Sequence, residues 1–183
     1  MQGGAGEGDK KERVLLVSDV RQFSDRNETA TLKLIVTKSK IILAHHETII
    51  RDVSLHRVDA LTLSKTSPEF IIHVHHDSDE RLVVPGGRRE LIHMLLYLLT
   101  YRRVDSRTAP HKTKLYFVDN AKLDLYVTTS EDLEDGHLIR PDKKHLVLMD
   151  YAEFTLMEEA QNTELGGHPG SRPPAVIPNF RLE

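Results

Sequence analysis

Val-Asp-Ala-Leu-Thr-Leu-Ser-Lys-Thr-Ser-Pro-Glu-Phe-Ile-Ile-His-Val-His-His, residues 58 to 76, reads as two strands joined by a short polar turn. Ala60, Thr62 and Ser64 alternate with Leu61 and Leu63, while Ile71, His73 and His75 alternate with Ile72 and Val74. That period of two is what a half-buried strand requires. Lys65-Thr66-Ser67-Pro68 breaks the run. Pro68 belongs in a turn or at a strand start, because proline donates nothing to a strand ladder.

Upstream of this hairpin the same reading gives a strand from Val14 to about Val20, a polar connection from Asp19 to Thr31, and a second strand around Leu32, Leu34 and Val36. Ile41-Ile42-Leu43 and Thr48 to Val53 are a third and a fourth, separated by His45-His46-Glu47. After Asp77-Ser78-Asp79, residues Arg81 to Val84 make the seventh. Pro85-Gly86-Gly87 then ends the series. Leu91, Ile92, Leu95, Leu96, Leu98 and Leu99 recur at three and four residues, which predicts one amphipathic helix from about Arg88 to Arg102. Seven short strands followed by such a helix predict a mainly β fold, a small antiparallel barrel with one end plugged by the helix.

Beyond the helix, apolar runs at Leu115–Val118, Leu123–Val127 and Leu146–Met149 predict further strands or extended segments on the outside of the barrel. The expected organisation is a flexible Gly-rich leader over 1–12, barrel and helix over 13–104, an extension over 105–165 and a Pro/Gly-rich arm over 166–183.

The 183 residues contain no cysteine, so disulfides, thiol catalysis and thiolate metal sites are excluded. Without an 18-residue apolar run or a signal-like start, a soluble cytoplasmic chain is expected. The net charge of -3 speaks against nucleic acid as a partner. Charge is unevenly placed, however. Arg81, Arg88, Arg89, Arg102, Arg103, Arg107, Lys112 and Lys114 face only Glu90 and Asp105 in one stretch, whereas residues 119–164 are strongly acidic. The first group predicts a basic patch suited to an anionic surface, its alternative being a solvated helix face with cations at the helix end.

His73, His75 and His76 lie near Asp77 and Asp79, but no further ligands are defined, so the expectation is strand histidines and no metal. Nor is there a nucleophile elbow or spaced triad, and no enzyme, cofactor or small-molecule substrate is expected.

Val17-Ser18-Asp19-Val20, then Leu34 to Leu43, then Val58-Asp59-Ala60-Leu61-Thr62-Leu63-Ser64 and Phe70-Ile71-Ile72-His73-Val74, with Ala175-Val176-Ile177-Pro178 near the end, resemble the tail homology 1 domain of class I myosins in order and spacing. The resemblance spans residues 13 to 180. It implies a pleckstrin-homology-like barrel that binds acidic phospholipid and attaches to membrane or cytoskeleton, here without a motor. Its phosphoinositide site falls at Arg21 and, as the second basic position, about Leu32, with Lys33 one residue along and Arg26 in the intervening loop. A shift of one residue turns a side chain to the other face of a strand. That loop also carries Asp25 and Glu28 where such tails are basic. Two functions follow: a module that binds anionic phospholipid through Arg21, Arg26, Lys33 and the basic patch, or a protein-interaction scaffold of a cytoskeletal or ciliary assembly that has lost phosphoinositide binding.

Overall fold

The computed structural model describes residues 11–24, 29–102 and 109–164. Arg26, Arg103, Arg107, most of the predicted leader and the C-terminal arm lie outside the described residues. The chain divides into two compact units, residues 1–151 and 152–183.

The first unit holds nine strands: β1 Val14–Phe23, β2 Thr29–Thr37, β3 Lys40–His45, β4 Thr48–Ser54, β5 Val58–Ser64, β6 Glu69–Val74, β7 Glu80–Val83, β8 Thr113–Val118 and β9 Leu146–Met149. Helix α1, Arg89–Tyr101, separates β7 from β8, and a short α2, Ser130–Glu134, precedes β9. In the second unit the described structure is helix α3, Tyr151–Glu164, whose first residue still belongs to the first unit.

The strands form one sheet in the order β4-β3-β2-β1-β7-β6-β5-β8-β9. Two meanders, β1 to β4 and β5 to β7, meet where Arg21 and Gln22 pair with Val83 and Leu82. The expected closed barrel is therefore an open sheet. The outer edge of β5, which closure would have needed, instead takes β8 in parallel from Ala60↔Lys114 to Ser64↔Val118. Parallel neighbours require a long crossover, and β6, β7 and α1 supply it.

Helix α1 buries its predicted stripe, Leu91, Ile92, Leu95, Leu96, Leu98 and Leu99, and the strand residues Phe70, Ile72 and Leu82 are buried as well. Side chains of this size each contribute about 1.5–3 kcal/mol when taken from water. Two further expectations need correction, and one element has no counterpart among them. The Asp19–Thr31 connection is mostly strand, because β1 runs to Phe23 and β2 begins at Thr29. Around Leu123–Val127 the chain forms a 3₁₀ turn at Asp124–Tyr126 instead of a strand. Helix α3 went unread because its polar and apolar residues show little sidedness.

The largest correction concerns the 58–76 hairpin. Its two strands are not half-buried: apart from Asp59 every residue in β5 and β6 is buried. One face (Leu61, Leu63, Phe70, Ile72) is apolar and buried. Residues opposite one another in a ladder share a face, so Thr62, Ser64, Glu69, Ile71 and His73 form the other. That second face is covered by the chain after β8, where Ile71 meets Val118 and Leu123, with Tyr126 and Val127 packed against them.

Candidate functional site

The polar face of the hairpin is satisfied partly within itself and by Asp79 and Arg81, and partly by that later segment. Ser64 Oγ donates to Asn120 O at 2.7 Å. Glu69 accepts the Leu123 amide at 2.9 Å and both Nε and Nη2 of Arg81, at 2.9 and 3.1 Å. Arg81 in turn stacks 3.9 Å over the Phe23 ring. Buried carboxylates survive only when paired and hydrogen-bonded, and Glu69 meets both conditions.

Asp79 is the second such anchor. Its Oδ2 accepts from His73 Nδ1 at 2.8 Å, from the Thr128 amide at 2.9 Å and from Arg140 Nη1 at 3.0 Å. Its Oδ1 takes the Val74 amide at 3.1 Å, and its own amide returns a bond to Thr128 O at 2.9 Å. Because Asp79 accepts at Nδ1, the neutral His73 ring carries its proton there. Nε2 then accepts from the Thr62 hydroxyl at 2.5 Å. Burial holds His73 below its ordinary pKa of 6.5, against the opposing pull of Asp79. The Thr62–His73–Asp79 line has the connectivity of a hydroxyl–imidazole–carboxylate relay. All three side chains are buried, so no substrate reaches the hydroxyl in this conformation.

Above this junction lies a cleft of about 270 Å³ lined by Asp59, His75, His76, Leu133, His137, Leu138 and Arg140. His75 and His76 sit in the β6–β7 turn with ring centroids 3.9 Å apart, His76 at φ 53°, a left-handed conformation that histidine tolerates better than most residues. Among the described residues no group of histidines and carboxylates has the arrangement of a metal site.

The residues expected at a lipid headgroup are placed as follows. Lys33 stands opposite Asp19 and Arg21 opposite Thr31 in the β1–β2 ladder, so Arg21 and Lys33 share the outer face. Both are exposed, while Leu32, the nominal second position, is buried in the core. Lys33 Nζ lies 2.5 Å from Asp19 Oδ1.

The expected basic patch divides. Arg81 is buried against Glu69. Arg88 donates to the carbonyls of Ser64, Ser67 and Glu69, which locks the β5–β6 turn onto the start of α1. Arg102 donates to Leu55 O at 2.6 Å and Val58 O at 3.0 Å. Arg89, Lys112 and Lys114 are exposed, with Lys112 Nζ 3.7 Å from Asp150. Sequence reasoning missed the Glu69 and Asp79 anchors. The available signals were an acid, Glu69, at the head of a strand, a second, Asp79, just before β7, and a single arginine, Arg140, in an acidic stretch.

The sheet ends in two edges. On β4 the register shifts between Leu43 and Ala44, so the strand is bulged, and bulges disfavour further pairing. On β9 the pairing with β8 is continuous from Thr113↔Met149 to Tyr116↔Leu146. Val147 and Leu148 are 39% and 57% exposed there, and Lys114 stands opposite Leu148.

Two meanders joined through β1 and β7, with one helix closing the series and a two-strand extension on the β5 edge, make a mainly β fold. Among solved structures, the N-terminally truncated linker-DH/PH domains of p115-RhoGEF align with a TM-score of 0.44 at 10% identity, over 52% of this chain and 31% of that chain. The likeness thus spans less than a third of the neighbour's length. No protein-family model and no curated protein matches the sequence. No described helix is long and apolar enough to cross a membrane.

Proposed function

We propose that this chain is a non-catalytic protein-interaction module, which takes an extended segment of a partner protein along the outer edge of β9, the last strand of the sheet among the described residues. The observation that carries this reading is the edge itself: a regular outermost strand with Val147 and Leu148 exposed. An open strand edge offers unpaired backbone groups to an added strand, and apolar side chains beside it supply affinity. Lys114, together with Lys143 and Lys144 in the turn just before β9, favours a partner segment that alternates apolar with acidic residues. The myosin-tail resemblance suggests a cytoskeletal or ciliary protein as its source.

A capped peptide alternating valine and glutamate is the probe. Slowed amide exchange confined to Leu146–Met149, lost when Leu148→Lys is introduced, supports the reading. No change in β9 exchange at millimolar peptide sinks it.

A second reading, association with anionic phospholipid, is favoured by one observation, the shared outer face of Arg21 and Lys33. Against it stand the internal engagements of Arg81, Arg88 and Arg102 and the pairing of Lys33 with Asp19. Sedimentation with phosphatidylserine vesicles at low salt separates the two readings, since surface attraction of this kind is strongest there.

A further inference from the structure

We infer that the outer face of β1–β4 is a self-association surface, on which a second copy of this chain stacks sheet against sheet. Residues opposite one another in a ladder share a face. Val17↔Ile35, Ile35↔Ile42 and Ile42↔Asp52 therefore make one row across four strands, and Asp19↔Lys33, Lys33↔Ala44 and Ala44↔Ile49 make the next. Leu34, Val36, Ile41, Leu43 and Val53 fill the opposite, buried face.

An antiparallel sheet with one wet face alternates apolar residues inside with polar residues outside. This face breaks that rule. Val17 is 53% and Ile49 61% exposed, and Ile35 and Ile42 are only partly buried. All four are β-branched and stiff at the first torsion, so little rotamer freedom is lost when they are covered. The same side of the sheet continues through Arg21↔Val83 and Glu69↔Val83 to Ile71, where Val118 and Leu123 pack on it. That cover does not reach Val17 and Ile49.

The charges beside the row suit a copy of the same surface. Asp19 lies 2.5 Å from Lys33, and Lys40 lies 3.1 Å from Asp52. Two acids and two bases sum to zero, so facing copies meet without net repulsion, and each sign on one copy has its opposite on the mate. Arg21 adds one cation beyond them, which is little for an anionic lipid surface that contributes about 1 kcal/mol per basic residue.

The size agrees with a dimer. Four strands about 4.8 Å apart, with about seven residues of each at about 3.3 Å, span roughly 20 by 23 Å. Side-chain relief raises the area above that flat footprint of about 450 Å², toward the roughly 800 Å² that each partner gives to a stable interface. Identical sheets share one twist, which lets two of them pack in alignment. The β9 edge lies at the other end of the sheet, so the inference does not depend on it.

The test is analytical ultracentrifugation of the full chain from about 5 to 500 µM, since a dimer gains with concentration by mass action. The weight-average mass should rise from that of one chain toward that of two. V17K/I49K places cations at two positions already more than half exposed, and should weaken association at least tenfold with little change in thermal midpoint. V17T/I49T removes apolar contact without adding charge. It should weaken association severalfold and keeps the test decisive if the lysine pair disturbs folding. L148K, on the β9 edge, should leave association unchanged. A chain that stays monomeric throughout, association undiminished in both face variants, or association lost in L148K would each overturn the inference. So would a monomer that sediments with phosphatidylserine vesicles at low salt, which would assign the face to lipid.

Discussion

His73 Nδ1 stands 2.8 Å from Asp79 Oδ2 with both side chains fully shielded from solvent, and the same carboxylate oxygen holds Thr128 and Arg140. Asp79 is thus the point at which the hairpin and the later segment become one structure. Replacing it by alanine leaves the Arg140 guanidinium, His73 and the Thr128 amide without their acceptor. Loss of one partner from a buried charged pair costs roughly 3–5 kcal/mol. Urea unfolding of Asp79→Ala should show a destabilisation of that order. Asp79→Asn, which keeps one acceptor oxygen, should cost less. Equal stability of Asp79→Ala and the natural chain would show that the junction contributes nothing.

The sign of the pH dependence follows from His73. Its pKa is lowered in the folded protein, chiefly by burial, below the ordinary 6.5. Above that value neither state holds the proton. Below it the unfolded chain takes up a proton that the folded chain resists, so stability falls as pH drops. The unfolding free energy should be flat in the His73 contribution above about pH 7 and decline through the acid side. His73→Gln should remove that component, and superimposable pH profiles of the two proteins would refute the assignment.

Much of the first unit could be read from residue order. Alternation located β5 and β6, and the three-and-four spacing of Leu91 to Leu99 located α1 within a residue at each end. The junction could not be read in this way. Alternation marks Thr62, Ser64, Glu69 and His73 as a polar face, but a polar face covered by hydrogen-bonding chain has the same pattern as one facing water. The groups that cover it, Asn120, Leu123, Thr128 and Arg140, lie some fifty to sixty residues downstream in a stretch whose acidity suggested solvent. Counting charge fails for a related reason. Arg88 and Arg102 are held by backbone carbonyls, which carry no mark in the sequence.

Those two arginines make a further prediction. Arg102 satisfies the Leu55 and Val58 carbonyls around the 3₁₀ turn at Leu55–Arg57, and Arg88 satisfies three carbonyls of the β5–β6 turn. Charge-assisted hydrogen bonds contribute about 1.5–3 kcal/mol, and a carbonyl left unmet costs about as much. Arg102→Met and Arg88→Met should each lower stability by roughly 1–3 kcal/mol. Sedimentation with anionic vesicles should be unaffected by either change, because neither guanidinium is available to a headgroup. A large loss of vesicle binding with unaltered stability would reverse that conclusion.

The Glu69–Arg81 pair lends itself to a double-mutant cycle. Arg81 is held in a two-pronged contact, and Glu69 also accepts the Leu123 amide. Arg81→Met should therefore strand a buried carboxylate, at a cost of roughly 3–5 kcal/mol. Glu69→Gln in the Arg81→Met background removes that stranded charge and still accepts from Leu123, so it should restore part of the loss. Additive effects of the two substitutions would mean that the ion pair is energetically uncoupled.

The Asp19–Lys33 pair decides how much of the phospholipid reading survives. Both side chains are more than half exposed, and exposed pairs of this kind are worth at most about 1 kcal/mol. Asp19→Asn should accordingly leave the thermal midpoint almost unchanged. Its electrostatic effect is larger in kind, since it frees Lys33 beside Arg21 on the outer face of β1 and β2 and removes the one acid facing them across the ladder. If Asp19 is what suppresses attraction to anionic lipid, Asp19→Asn should sediment with phosphatidylserine vesicles at low salt where the natural chain does not, and Lys33→Gln in the same background should abolish the gain. Natural chain that already binds, with affinity that collapses on reversing Arg21 and Lys33 to glutamate, would instead make the outer face a working lipid site and displace the β9 edge as the primary contact.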